Sequence, residues 1–248
     1  MTTLILIQAR MGASRLPGKP LFKVLGRPLL SYLLERLKRV SNADKIIVAT
    51  STHPRDILIA EAALSNGVEV FKGSEGDVLD RYYQAAKGAH ADVIVRITAD
   101  CPLIDPILVT QLIDLFKSLN DENLFASNTL TRTFPRGMDT EVFSFKALEE
   151  AWQNATLPYE REHVTPYLYT HPEKFSTVQL TQNPDQSYYR WTVDTLDDFR
   201  LISKLLAAIY PSNPNFSLKE LNAVYAAHPE WHSINAHIQQ KNLTTEKT

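Results

Sequence analysis

The chain has a single cysteine, Cys101, which excludes an internal disulfide. No apolar run approaches the ~18 residues that a membrane-crossing helix needs. Neither charge sign is in excess: 26 Lys and Arg stand against 28 Asp and Glu, a net charge of −2. General nucleic-acid binders are usually basic, so no nucleic-acid partner is expected. No Cys/His cluster has zinc-ligand spacing. No G-x-S-x-G elbow supports a serine hydrolase, and no G-x-G-x-x-G supports a dinucleotide fold. Repeats and low-complexity segments are also missing. Met1-Thr2-Thr3 leads straight into an apolar run, leaving no room for a signal peptide, so a cytoplasmic location is expected. The 248 residues are 44% hydrophobic and 22% charged, ordinary for one large domain or one domain with an appendage.

The most informative stretch is Leu4 to Leu21, LILIQARMGASRLPGKPL. Leu4-Ile5-Leu6-Ile7 has the form of a strand buried on both faces. Arg10, Gly12, Ser14, Arg15, Pro17, Gly18 and Lys19 follow directly. Glycines let backbone N–H groups face an anion, and the two arginines can fork onto phosphate oxygens. A Walker A loop requires four residues between its glycines and Ser or Thr after the lysine. Here the intervening segment, Ala13 to Pro17, is one residue too long and Pro20 follows Lys19, so that motif is excluded. A solvated basic turn is the competing reading, and the buried strand and glycines weigh against it.

Taken in order, the chain alternates strands and helices. Pro28–Val40 carries leucines at helical spacing. Lys45–Thr50 is a second buried strand, Asp56–Asn66 a helix stopped by Gly67, and Val68–Phe71 a short strand. A helix opened by Glu75-Gly76-Asp77 runs through Lys87. Asp92–Thr98 is a third core strand and Pro106–Leu119 a helix. The pattern predicts an α/β fold: a doubly wound, mostly parallel sheet with right-handed crossovers. From Leu124 to Tyr189 the alternation stops, and this part reads as an insertion or edge layer over the site, with helices at Phe145–Ala155 and around Glu162–Thr170. The pattern returns with a strand at Tyr188–Asp194 and helices at Leu196–Tyr210 and Leu218–His228. One domain spans 1–240, and 241–248 is expected to be a frayed tail.

Asp100 and Asp194 both follow apolar runs. Two carboxylates at neighbouring strand ends, facing a cationic loop, suit Mg²⁺, which takes one or two carboxylates plus substrate phosphates. A helix N-cap is the alternative for each. Asp77, Asp80 and Arg81 fit either ligand contact or a charged helix face with an Asp77–Arg81 pair. Arg96, inside a core strand, needs an anionic partner, either a structural carboxylate or a substrate. Cys101 beside Asp100 reads as a small buried residue, because a neighbouring carboxylate disfavours the thiolate.

Q-A-R-M-G-A-S-R-L-P-G-K-P-L resembles the N-terminal signature of the sugar-activating cytidylyltransferases, the CMP-sialate and CMP-Kdo synthetases. It is most similar to the subfamily of spore-coat polysaccharide biosynthesis protein F. F-K-G-S-E-G-D-V-L-D-R-Y, T-A-D-C-P-L-I-D, P-R-G-M-D-T-E-V-F, Y-E-R-E-H-V-T-P-Y and V-D-T-L-D-D-F extend the resemblance over most of residues 3–200. It implies a Rossmann-like nucleotidyltransferase that binds CTP and activates an acidic sugar, releasing CMP-sugar and pyrophosphate. On the same ground, Gln8, Ala9, Arg10, Gly12, Ser14, Arg15, Lys19, Thr50, Ser51, Gly73, Asp77, Arg81 and Thr98 would meet the nucleotide. Arg15, Lys19 and Asp100 would be catalytic. Asp100 and Asp194 would hold Mg²⁺, while Asp197 and Asp198 would be first-turn helix acids. The acceptor would lie against residues 124–189, at Asn128, Arg132, Asp139, Glu141, Glu162 and His163, with Arg136 and Arg161 as further cations. A homodimer through this insertion is also implied. A related transferase for another nucleotide or a sugar phosphate is the nearest rival. A glycosyltransferase is further off, because Asp100-Cys101-Pro102 lacks the second Asp of a D-x-D motif.

Overall fold

The computed structural model describes residues 1–240; the expected frayed tail at 241–248 lies outside the described residues. Seven strands form one sheet. They are β1 (Thr3–Gln8), β2 (Lys45–Ser51), β3 (Glu69–Gly73), β4 (Val93–Thr98), β5 (Leu124–Ser127), β6 (Glu141–Ser144) and β7 (Ser176–Gln179), in the spatial order β3-β2-β1-β4-β6-β5-β7. β6 is antiparallel to β4 and β5, and the other pairings are parallel. Thr3 to Ile7 of β1 are buried and Gln8 at its end is partly exposed; both faces of the strand carry helices. Ile5 and Ile7 pack with Leu30, Leu33, Leu34 and Leu37 of α1 (Leu29–Leu37) and with Val109, Leu112 and Ile113 of α4 (Pro106–Leu119). Leu4 and Leu6 pack with Leu79 and Tyr82 of α3 (Val78–Gly88) and Ala147 and Leu148 of α5 (Phe145–Asn154). This alternation is the period of two expected of a strand in the middle of a doubly wound sheet.

The order along the sheet turns at β1: the chain moves outward through β2 and β3, then returns to place β4 on the other side. In such sheets a crevice opens outside the carboxyl ends of the two strands at the turn. Gln8 and Thr98, the last residues of β1 and β4, are register partners there.

Helix boundaries follow capping chemistry. α2 is Ile57–Ser65, preceded by a 3₁₀ turn at Pro54–Asp56. α3 starts at Val78, later than its acidic approach suggests, because Asp77 is the N-cap and accepts the Asp80 N–H at 2.9 Å. Residues 124–189 do two things. Their strands β5 to β7 extend the central sheet, and the helices α6 (Pro158–His163) and α7 (Pro166–Thr170) lie in the connection between β6 and β7. The expected strand at Tyr188–Asp194 does not form. It makes one isolated β-bridge, Arg136 with Arg190, and the rest of it joins no ladder. Its apolar residues Trp191 and Val193 are buried in a third cluster with α8 (Leu196–Ile209) and α9 (Leu218–Ala226), which is why it reads as a strand in sequence. Among the described residues no helix is long and apolar enough to cross a membrane.

Gly137 holds this crossing segment in place. Its φ is +103°, and a Cβ there would overlap the Trp191 carbonyl. Gly137→Ala is therefore expected to cost more than about 1 kcal/mol of stability, read as a lower urea midpoint at unchanged m-value.

Candidate active site

The loop between β1 and α1 is closed and anchored by the backbone. The Gly18 N–H donates to the Met11 carbonyl at 2.9 Å, and Gly18 sits in the left-handed region at φ +74°. The Met11 N–H donates to Asp56 Oδ1 at 2.7 Å. Asp56 is wholly buried, and its other oxygen accepts the Ser51 hydroxyl. The loop's shape is thus set by a carboxylate from the next βα unit. Lys19 opens a 3₁₀ turn, Lys19–Leu21, that points its side chain back towards the two strand ends.

There the Lys19 Nζ lies 3.0 Å from Asp100 Oδ2 and 2.7 Å from Asp194 Oδ1. The second oxygen of Asp194 meets Arg15 Nη2 at 2.8 Å and Arg190 Nη2 at 2.7 Å. The Thr98 hydroxyl donates to Asp100 Oδ1 at 2.5 Å. Burial pushes the Asp100 carboxyl up, but the Lys19 cation and the Thr98 hydroxyl outweigh it and bring the pKa down to about 2. Burial pulls the Lys19 ammonium down, and the two carboxylates more than reverse it, so its pKa is raised. The Cys101 thiol is buried next to Asp100, and both the burial and the carboxylate hold it well above its ordinary range, so it is no nucleophile.

Neither carboxylate caps a helix. α8 is capped by Thr195, whose side chain accepts the Asp198 N–H, and α4 by Asp105. Asp194 does not come off a strand end, contrary to the sequence reading. It is brought in because the Val193 N–H donates to the Asp100 carbonyl at 2.9 Å, which sets the two acidic residues side by side. Asp198, the first-turn acid, is wholly buried and pairs with Arg190 Nε at 2.9 Å.

The space in front of this cluster is a cavity of about 490 Å³. From the expected nucleotide side it is lined by Gln8, Ala9, Arg10, Ser14, Arg15, Lys19 and Thr98, with Asp100 and Asp194 at its base. From the expected acceptor side it is lined by Arg132, Asp139, Glu141, Glu162 and His163, together with Arg96, Arg136 and Tyr169. Arg96 meets Glu141 at 2.7 Å across the β4–β6 pair, so its anionic partner is structural. Arg132 is forked onto Asp139, at 2.5 and 2.8 Å. Arg10 Nη2 reaches Glu162 Oε1 at 2.6 Å and joins the two sides. Arg136 is half-buried and pairs with no carboxylate among the described residues.

Other expected contact residues stand outside this lining. Thr50 and Ser51 are buried at the end of β2, and Gly12 lies in the loop against the Arg55 guanidinium. The Gly73 carbonyl accepts the Thr52 N–H at 2.9 Å. Asp77 caps α3 and binds Arg161 rather than Arg81, while Arg81 donates to the Ser74 carbonyl at 2.6 Å. Arg161 is thereby withdrawn from the acceptor side. Asn128 clamps the β5–β6 connection, donating to the Met138 carbonyl at 2.7 Å and accepting the Thr140 N–H at 2.9 Å. Sequence reading missed Asp56, which looks like the first residue of a helix, and Arg190, which lies four residues before Asp194 as the only hint of its role.

Asp100 and Asp194 offer hard carboxylate oxygens within reach of one cation, and Gln8, in the same lining, has a buried Oε1 with no hydrogen-bond partner. No cluster of three or more His, Cys, Asp or Glu forms a metal cage among the described residues. Two carboxylates and an open front match the habit of magnesium, which leaves coordination positions for phosphate and water.

The family model for cytidylyltransferases matches residues 4–230. The chain belongs to the cytidylyltransferase family. It is 31% identical over 235 residues to the Bacillus subtilis spore coat polysaccharide biosynthesis protein SpsF, covering 92% of this chain and 95% of that one. It is 40% identical over 240 residues to an uncharacterised protein of Methanocaldococcus jannaschii, covering 96% of each. The solved structure of a cytidylyltransferase from Leptospira borgpetersenii superposes with a TM-score of 0.90 at 38% identity, over 98% of this chain and 100% of that one. The CMP-Kdo synthetase solved with CTP shares the fold, at a TM-score of 0.63 and 20% identity over 84% of this chain and 99% of its own.

Within this cytidylyltransferase, Asp56→Ala leaves the Met11 N–H and the Ser51 hydroxyl without their acceptor. A loss of about 1–3 kcal/mol is expected in urea denaturation, together with faster proteolytic nicking between Arg10 and Lys19.

Proposed function

We propose that the chain transfers a cytidylyl group from CTP to a hydroxyl of an acidic sugar, releasing pyrophosphate, in the making of a surface polysaccharide. The observation that carries the reading is the Lys19 ammonium seated between Asp100 and Asp194 at the foot of a loop of cations. The family membership and the name of the B. subtilis relative support the nucleotide and the pathway class.

In this reading the triphosphate lies along the Arg10–Lys19 loop. Arg15 forks onto its oxygens, and Lys19 places a point charge on them. Asp100 and Asp194 would hold a magnesium ion, which when bound neutralises phosphate charge and makes the α-phosphorus a better electrophile. The acceptor oxygen attacks that phosphorus in line, the bond to the β-phosphate's bridging oxygen breaks, and the hydroxyl proton leaves to solvent. Arg15 and Lys19 stabilise the charge that accumulates on the departing pyrophosphate. No covalent intermediate with the protein forms. Arg136 suits the sugar's carboxylate, since Arg132 and Arg96 are already held by Asp139 and Glu141.

Asp100→Asn is expected to abolish pyrophosphate release while leaving the thermal midpoint near that of the parent; undiminished turnover would overturn the metal role. Lys19→Ala removes a charged hydrogen-bond donor and should weaken CTP binding about ten- to a hundredfold in a calorimetric titration. CTP with Mg²⁺ at ~100 times its Kd should stabilise the parent by about 2.7 kcal/mol. ATP, GTP, UTP and nucleotide sugars should give no such shift, and a shift with nucleotide sugars alone would favour a glycosyltransferase.

A further inference from the structure

Each carboxylate of the Asp100–Asp194 pair turns one oxygen to Lys19 and the other to the protein behind it. Asp194 Oδ1 accepts from the Lys19 Nζ at 2.7 Å, while its Oδ2 meets Arg15 at 2.8 Å and Arg190 at 2.7 Å. Asp100 Oδ2 accepts from Lys19 at 3.0 Å, while its Oδ1 accepts from the Thr98 hydroxyl at 2.5 Å. The ammonium therefore stands where an ion bridging the same two oxygens would stand. A divalent ion can take both acids at once only by displacing it.

The acids are fixed from behind. The Asp194 N–H donates to Asp198 Oδ2 at 3.0 Å, and Asp198 is wholly buried. Arg190, which grips Asp194 Oδ2, spends its Nε on Asp198 at 2.9 Å and its Nη1 on Gln240 at 2.7 Å. The Asp100 carbonyl accepts the Val193 N–H at 2.9 Å and the Thr192 hydroxyl at 3.2 Å. Lys19 is held differently. Its ammonium bonds only to the two carboxylates among the described residues, at the end of a flexible four-carbon stem. In an exchange the lysine is the partner that gives way.

Charge decides when it does so. Lys19, Arg15 and Arg190 stand against Asp100, Asp194 and Asp198, three cations on three carboxylates. A divalent ion entering alone brings surplus positive charge to a balanced, largely buried cluster. It also drives Lys19 back towards Arg10 and Arg15 on its own loop, with no anion to receive it. A triphosphate removes both obstacles. Its oxygens take up Lys19 and Arg15, and they supply the ligands that magnesium draws from substrate.

On the metal role read above for Asp100 and Asp194, we propose that Lys19 is a resident counter-ion that bars divalent metal from the free protein and admits it only together with the triphosphate. Nucleotide and metal then bind with positive coupling, each raising the other's affinity for the protein by the same factor. Arg190, tied to Asp198 and Gln240, has no such exchange open to it; it stays on Asp194 Oδ2 and leaves that residue one oxygen for the ion.

Water proton relaxation by Mn²⁺, which is enhanced when the ion is held on a protein, tests this without turnover. The signal that counts is the part that Asp194→Asn removes. In the parent it is expected with Mn²⁺ and CTP together and not with Mn²⁺ alone. Lys19→Ala should create it with Mn²⁺ alone, at an affinity at least tenfold above the parent's. Lys19→Gln, uncharged but still a donor to the carboxylates, repeats the comparison if the Ala variant fails to fold. Two results would overturn the counter-ion role: a parent that holds Mn²⁺ as tightly without CTP as with it, or Lys19 variants that bind Mn²⁺ alone no better than the parent. An Asp194-dependent signal missing from the parent even with CTP would instead overturn the metal role on which the inference rests.

Discussion

The one contact on which the rest depends is the Lys19 ammonium between two carboxylates. Asp100 and Asp194 are largely buried, and two like charges that close repel strongly where water is scarce. A cation is required for both to stay ionised, and the protein supplies one from the loop that also carries Arg10 and Arg15. The basic loop and the acidic pair are therefore one electrostatic unit, and each keeps the other in its charged form. In the proposed reaction the partners would exchange: Lys19 would have phosphate oxygens to move to, and the two carboxylates a divalent ion to receive.

The sheet order makes this unit possible. β1 and β4 are neighbours only because the chain goes outward through β2 and β3 before returning, so the loop after one strand and the acid after the other open on the same crevice. The antiparallel β6 starts beside that crevice, where Glu141 meets Arg96, and runs back towards the amino end of β4. The cavity is built by strands and helix starts on one side and by a mixed segment on the other. The Arg10–Glu162 ion pair is the link between them.

Local signals were sufficient for much of this. Leu4-Ile5-Leu6-Ile7 declares a core strand by composition alone, and Arg10 to Lys19 declares a basic glycine loop. The α/β class follows from the alternation of apolar runs up to Leu119. What sequence could not supply was pairing. β5, β6 and β7 are four residues each, too short for periodicity to announce them, and they become strands by docking in turn beyond β4: β6 on β4, β5 on β6 and β7 on β5. Tyr188–Asp194 failed in the opposite sense: it is apolar enough for a strand but buries its side chains in a helical cluster, and its backbone makes a single bridge. Asp56 and Arg190 act through residues distant in sequence or on a neighbouring face, and no spacing rule marks them. The interpretation of Asp77 changed because Arg161, eighty-four positions away, takes its carboxylate.

The central place of β1 has a consequence for how the chain is made. It is the first of the seven strands to be made, and its two edges are satisfied only when its partners β2 and β4, which end at Ser51 and Thr98, have followed. Until Thr98 emerges, at least one edge of the most apolar strand in the protein has nothing to pair with. Synthesis therefore passes through a long interval in which a sticky, unpaired ribbon is exposed, and contacts of such sequence separation also form slowly. The crevice, which opens outside the carboxyl ends of β1 and β4, comes into being only when that interval closes.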